Sequence, residues 1–204
     1  MSAMNAMRAT DATDATDALR AAALPRDGER VRLRRLHAGD LTRLQAYRAD
    51  AELGRFQGWR PLSEAAAAAF IEEMSAMSFC PPGQWMQLAI AERAGDTLIG
   101  DIGLRRASHG AALEIGFTLA HEHQGRGLAG EAVRLALAAV FEHTPVLCVQ
   151  GVADARNGAS LRLLQRAGFR HVATADAVFK DELCQEHHFE CLSPRASAPA
   201  PGGR

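Results

Sequence analysis

Three short stretches of this 204-residue chain carry residues whose types and spacing could do chemistry. The first is the glycine-rich turn Gln124-Gly125-Arg126-Gly127-Leu128-Ala129-Gly130. An apolar strand pattern leads into it, and a helix with Val133, Leu137 and Val140 on one side leads out. Glycines let backbone N–H groups converge, and a helix start adds positive partial charge, so the turn is built to hold an anion. The second is Glu114, the one carboxylate in Leu113-Glu114-Ile115-Gly116-Phe117. Period-two alternation puts it on one strand face with Gly116 and Thr118, opposite Ile115 and Phe117. A partly desolvated carboxylate there suits proton abstraction; a solvated strand carboxylate is the plain alternative. The third is Asn157-Gly158-Ala159-Ser160, an N-x-x-S turn opening a short helix that ends in Ala167-Gly168-Phe169. Both polar residues of that turn also suit ordinary helix capping.

These residues need a scaffold, and the chain patterns one. Val31–Arg35 reads as a first strand, its arginines alternating with Val31 and Leu33 to leave one solvated face. Asp40 is a good N-cap for a helix with Leu41, Leu44 and Tyr47, and Ser63 starts a second helix over Glu64–Met77. Between them, Gly54–Arg60 forms a loop holding Phe56 and Trp59. Trp85–Ala91, Thr97–Leu104 and Ala112–Leu119 form an antiparallel meander, with a turn at Ser108-His109-Gly110. Beyond the glycine turn the order is helix, strand (Val146–Val152), helix and a last strand within Ala177–Leu192. The class is α+β.

Bulk properties limit the function. The formal net charge is −1, which offers no bulk attraction to nucleic acid or anionic lipid. No apolar run approaches the ~20 residues of a membrane span. Cys80, Cys148, Cys184 and Cys191 form no C-x-x-C pair and read as reduced thiols, which points to the cytoplasm. His121, His123, His187 and His188 lack metal-ligand spacing, so no metal is expected. Residues 1–28 repeat Ala-Thr-Asp and read as a disordered arm, 29–192 as the folded domain, and 193–204 as a disordered tail.

The glycine turn has the spacing Q-x-x-G-x-A, neither that of a P-loop nor that of a dinucleotide fold. It resembles the acetyl-coenzyme A pyrophosphate loop of GNAT N-acetyltransferases. The N-x-x-S turn with its Ala-Gly-Phe ending is similar to that family's second signature. Ala177–Leu192 resembles the ending of the RimJ/RimL-like branch. The resemblance covers about Val31 to Leu192 and is strongest from Leu98 onward.

The resemblance implies the GNAT fold: a mixed, mostly antiparallel sheet flanked by helices, with splayed central strands. It implies acetyl-CoA as co-substrate and a primary amine as acceptor, either a protein N-terminus or a small molecule. Gln124, Gly125, Arg126, Gly127, Leu128, Ala129 and Gly130 would then bind pyrophosphate, Asn157 the pantetheine amides. A backbone N–H near Phe117, Thr118 or Leu119 would bind the oxyanion. Glu114 would be the base and Ser160 the acid of a direct transfer. Tyr47, in the first helix, is the only tyrosine, which excludes a C-terminal tyrosine acid. One of His187 and His188 would face the acceptor. Members of this branch are often homodimers. The competing reading is a catalytically idle acyl-CoA sensor with the same cofactor loop.

Overall fold

The computed structural model describes residues 23–108 and 111–197. Among them, eight strands form one sheet in the order β1-β2-β3-β4-β5-β6-β8-β7. The strands are β1 Arg26–Asp27, β2 Val31–Arg35, β3 Trp85–Glu92, β4 Leu98–Arg106, β5 Ala112–Leu119, β6 Cys148–Asp154, β7 Arg170–Phe179 and β8 Glu182–Leu192. The helices are α1 Leu41–Arg48, α2 Ala51–Gly54, α3 Glu64–Ala76, α4 Leu128–His143 and α5 Gly158–Arg166. Only β5 and β6 are parallel; every other neighbouring pair is antiparallel.

Alternation along the strands builds two separate apolar clusters. Leu44 and Tyr47 of α1 and Ile71 and Met74 of α3 pack over Leu36, Ala89, Leu98 and Ala120 on one face. On the other face Ala132, Val133, Ala136 and Val140 of α4 pack over Leu33, Leu88, Ile102 and Ile115. Leu164 of α5 covers Gly151 of β6 on this second face, where its Cδ2 stands 2.8 Å from the position of an added Cβ. We call the α1/α3 side the front and the α4/α5 side the back.

The structure differs from the sequence expectations in several places. The folded unit starts before residue 29: Ala23 and Leu24 are buried in the back cluster, and β1 pairs with β2. It also continues past 192, since Ser193 N donates to Leu147 O and Arg195 Nη2 to Thr144 O. The rest of the expected arm and tail, 1–22 and 198–204, and the turn residues 109–110 lie outside the described residues. The expected single last strand is a hairpin, β7–β8. Its two-residue loop, Lys180-Asp181, has φ of 52° and 66°, the left-handed geometry such hairpins use. Neither residue is glycine, so the usual turn signal is missing. Asp40 does not cap α1. It is buried and accepts from Arg34 Nη1 (2.7 Å), Arg34 Nη2 (2.9 Å) and His37 N (2.9 Å). Arg34 is therefore buried in an ion pair rather than solvated with its strand neighbours.

Candidate active site

The glycine turn lies where the sequence pattern puts it, between β5 and α4. Gly125 and Gly127 have φ of 70° and 77°, a region that L side chains avoid. The first intrahelical bond of α4 is Glu131 N to Gly127 O, so the N–H groups of Leu128, Ala129 and Gly130 precede it and crown the helix start. Guanidinium groups ring the turn. Arg126 is exposed within it, Arg30 Nη2 stands 3.5 Å from a Cβ position at Gly127, and Arg134 Nη1 3.6 Å from one at Gly130.

Side chains brace the turn from both ends. Gln124 Nε2 donates to Leu119 O at 2.8 Å, so this amide anchors the loop to β5 rather than standing free. On the far side Glu131 Oε1 accepts from the backbone N–H groups of Arg30 (2.8 Å) and Val31 (3.2 Å), while Arg30 Nη1 donates to Arg126 O at 2.8 Å. Burial pushes the Glu131 carboxyl up, but the two N–H donors and the Arg30 guanidinium outweigh it and hold it below the usual range. Sequence reasoning missed this brace; a lone Glu on the buried side of α4 was the available signal.

Next to the turn the sheet opens. The parallel β5–β6 ladder runs from Ala112↔Cys148 to Ile115↔Gly151 and ends there, although β5 continues to Leu119 and β6 to Asp154. The two strands splay apart. Ala120 N donates to Ile99 O of the β4 side, so by alternation the peptide groups of Phe117 and Leu119 face the gap. Thr118, expected to share this role, turns its carbonyl to Gly100 on β4 instead. Its hydroxyl lies on the front, 3.5 Å from Trp59 Nε1. Gln57 Nε2 donates to Phe117 O at 3.1 Å, so the α2–α3 loop is tied to the mouth of the gap. Neither tie was foreseen, because loop contacts leave no periodic trace.

On the front, Glu114 and Gly116 sit at the closed end of the gap. Glu114 is half-buried and ion-paired to Arg105 directly across the β4–β5 ladder, at 2.7 Å. Arg105 in turn lies over the Trp85 ring, 5.2 Å from its centroid. A cleft of about 200 Å3 lies beside Glu114, Arg105, Ser108 and Gln150. Above Gly116 an added Cβ would meet nothing within 4 Å. Asn157 caps α5, its Oδ1 accepting from Ser160 N at 3.1 Å. The Ser160 hydroxyl makes no hydrogen bond to the described residues.

Tyr47 is taken up elsewhere. Its hydroxyl donates to Asp101 Oδ2 at 2.5 Å, and Arg48 Nη2 donates to the same oxygen at 2.8 Å. Burial, then the Asp101 charge, push the Tyr47 hydroxyl well above its ordinary range. Burial likewise pushes the Cys148, Cys184 and Cys191 thiols up, which leaves no thiolate poised for acyl transfer. Cys148 is only half-buried and lies on the front of β6. Among the described residues, no three His, Cys, Asp or Glu side chains are grouped to hold a metal.

A strand-gap beside a glycine turn at a helix start is the geometry the sequence resemblance implied, and the family comparison decides it. Residues 30–170 match the acetyltransferase (GNAT) domain. The chain belongs to the GNAT family. It is an N-acetyltransferase, and family members use acetyl-CoA as co-substrate. It is 26% identical over 144 residues to the uncharacterized N-acetyltransferase p20 of Bacillus licheniformis, covering 70% of this chain and 80% of that one. Its fold is similar to that of a GNAT-family acetyltransferase from Bacillus anthracis (TM-score 0.74, 16% identity, 83% of this chain and 99% of that one). It is also similar to that of the ribosomal-protein-S5-alanine acetyltransferase of Vibrio fischeri (TM-score 0.70, 14% identity, 86% and 100%).

Proposed function

We propose that this acetyltransferase moves the acetyl group of acetyl-CoA to a primary amine by direct attack in a ternary complex. The observation that carries the reading is the junction of gap and turn. The α4 N–H crown of Leu128, Ala129 and Gly130, flanked by Gly125, Gly127 and Arg126, suits the pyrophosphate. Gln124 holds that loop by its bond to Leu119. The peptide groups of Phe117 and Leu119 suit the pantetheine amides and the thioester carbonyl, a strand edge offered to an extended ligand. Asn157, at the start of α5, lies where β6 delivers the chain to the far side of the gap.

Chemistry follows from the same groups. Two backbone N–H donors aimed at the gap would stabilise the oxyanion that forms as the carbonyl is attacked. Glu114 accepts a proton from the attacking nitrogen, and the unpartnered Ser160 hydroxyl gives one to the leaving sulfur. The ion pair with Arg105 fixes the Glu114 carboxylate in one orientation, which is what a positioned base needs. The RimJ/RimL-like branch is favoured by the similarity to the Vibrio fischeri enzyme and by the hairpin ending, and a cytoplasmic setting by the four free thiols. The test is release of free CoA thiol from acetyl-CoA in the presence of an alanyl peptide, a polyamine or an aminoglycoside. Release with at least one of them is expected. Tight acetyl-CoA binding with no amine-dependent release would leave an idle sensor instead.

A further inference from the structure

An amine of ordinary basicity arrives at neutral pH as an ammonium ion. It must lose one proton to gain a lone pair, and a second once the C–N bond has formed. Glu114 and Ser160, in the reading above on which this inference rests, handle the second proton and the sulfur. The first has no acceptor in that scheme.

The front of the sheet supplies one. Strand register lines up Gly103 of β4, Gly116 of β5, then the gap, then Val152 of β6 and His188 of β8. That these share a face follows from the neighbouring row, where Glu114 is in register with Gln150 and Gln150 Nε2 donates to Glu190 Oε1 at 3.1 Å. His188 therefore stands one strand beyond the gap, on the front, the face that the proposed base Glu114 also occupies. No long helix covers this side of β6 and β8: α1 and α3 pack on β2–β5, and α2 touches only the hairpin tip, through Lys180 Nζ and Gly54 O. Val152, between His188 and the gap, is small and 38% exposed. His188 itself is half-buried, and its side chain makes no hydrogen bond or ion pair with the described residues. Its neighbour His187 points to the back, 3.0 Å from His171 Nε2 through its Nδ1.

We infer that His188 takes the first proton from the acceptor ammonium and releases it to solvent. The groups facing it are Glu186, Glu190 and Cys184 on its own strand. Gln150 and Asp154 face it from β6, Arg170 from β7, Glu114 with its partner Arg105 from across the gap, and Arg55, just past α2, lies within reach of the Asp154 charge. Asp154 is paired to Arg156 at 2.7 Å and Glu114 to Arg105, which leaves Glu186 and Glu190, against Arg170, to draw in an ammonium ion beside the imidazole. The steps balance. The ammonium N–H gives its proton to His188, and His188 gives it to water. The neutral amine forms the C–N bond, and the C–S bond breaks. The second N–H proton goes to Glu114, Ser160 protonates the sulfur, and Glu114 restores the serine proton through water. One proton is released per turnover.

The test is the pH dependence of kcat/KM for the amine the wild type acetylates best, compared with His188→Gln. At pH 6 the variant should lose about 10²-fold, the ordinary worth of a placed proton acceptor. By pH 9.5 the amine arrives largely neutral, and the loss should shrink to within about threefold. Calorimetric acetyl-CoA affinity should be unchanged, and added imidazole should restore part of the activity of His188→Ala. An equal loss at every pH, or no loss at pH 6, overturns the inference while leaving the proposed transfer intact. A wild type that acetylates no amine overturns both.

Discussion

The two halves of the front face are built to opposite rules. Over β2–β5, α1 and α3 seal the sheet, and even its polar groups are locked in. Asp101 is held by Tyr47 and Arg48, and Arg34 by Asp40 and Asp96. Over β6, β8 and β7 no long helix lies on the front; α2 touches only the hairpin tip, where Lys180 Nζ donates to Gly54 O at 2.6 Å, and β7 is exposed along most of its length. The gap between β5 and β6 is the seam between a sealed half and an open one. A sealed half can hold peptide groups and a carboxylate in fixed positions. An open half can admit a second substrate and solvent. Under the proposed transfer the reacting atoms lie at that boundary, held by one half and reached through the other.

Breaking the chemistry at the seam should have the largest effect. Glu114→Gln should lower turnover by ~10²–10⁴ in a steady-state assay, with acetyl-CoA affinity nearly intact. Turnover within threefold of wild type would move the base elsewhere. Next comes the sealed half itself. Asp101→Ala strands Arg48 and Tyr47 beneath α1 and should cost roughly 3–5 kcal/mol in a denaturant titration. Glu186→Ala, in the open half, should cost less than about 0.5 kcal/mol. Equal costs would erase the contrast between the halves.

Two smaller effects sharpen the boundary. A chain beginning at Glu29 loses Leu24 and β1 and should be less stable by about 2–3 kcal/mol, the worth of one buried leucine. One beginning at Ala23 should melt like the full chain. Glu131→Gln should cost roughly 1–3 kcal/mol at pH 7. The folded-state carboxyl lies below its unfolded value, so the wild type's advantage is present above the ordinary carboxylate range. It fades as pH falls through the lowered folded value. An advantage that persisted undiminished at the most acidic pH where the protein still folds would show that the brace does not depend on charge.

Much of this was legible in the sequence, for a physical reason. Gly125 and Gly127 carry the turn because backbone conformation demands glycine there, and such demands mark a sequence locally. Glu114 was visible because it interrupts an apolar alternation. Where the splay begins, at Ile115↔Gly151, was not legible, because it is a missing pairing between residues 36 apart in sequence and leaves no local mark. Asp40 misled because a residue that suits a cap also suits a buried arginine. Gln57 and Trp59 could be given no contact, and His187 and His188 could not be told apart, before the strands were in register. The Lys180-Asp181 hairpin was hidden because tertiary pairing, not turn chemistry, holds its left-handed residues.

The claim that acetyl-CoA lies along the gap with its pyrophosphate on the glycine turn is met most directly by calorimetric titration of CoA into the wild type and Gly127→Val. Gly168→Ala, also at positive φ but away from the turn, controls for backbone strain. The account predicts wild-type affinity in the control and a loss of at least about 100-fold in Gly127→Val, with both variants still folded. Unchanged CoA affinity in folded Gly127→Val would contradict it.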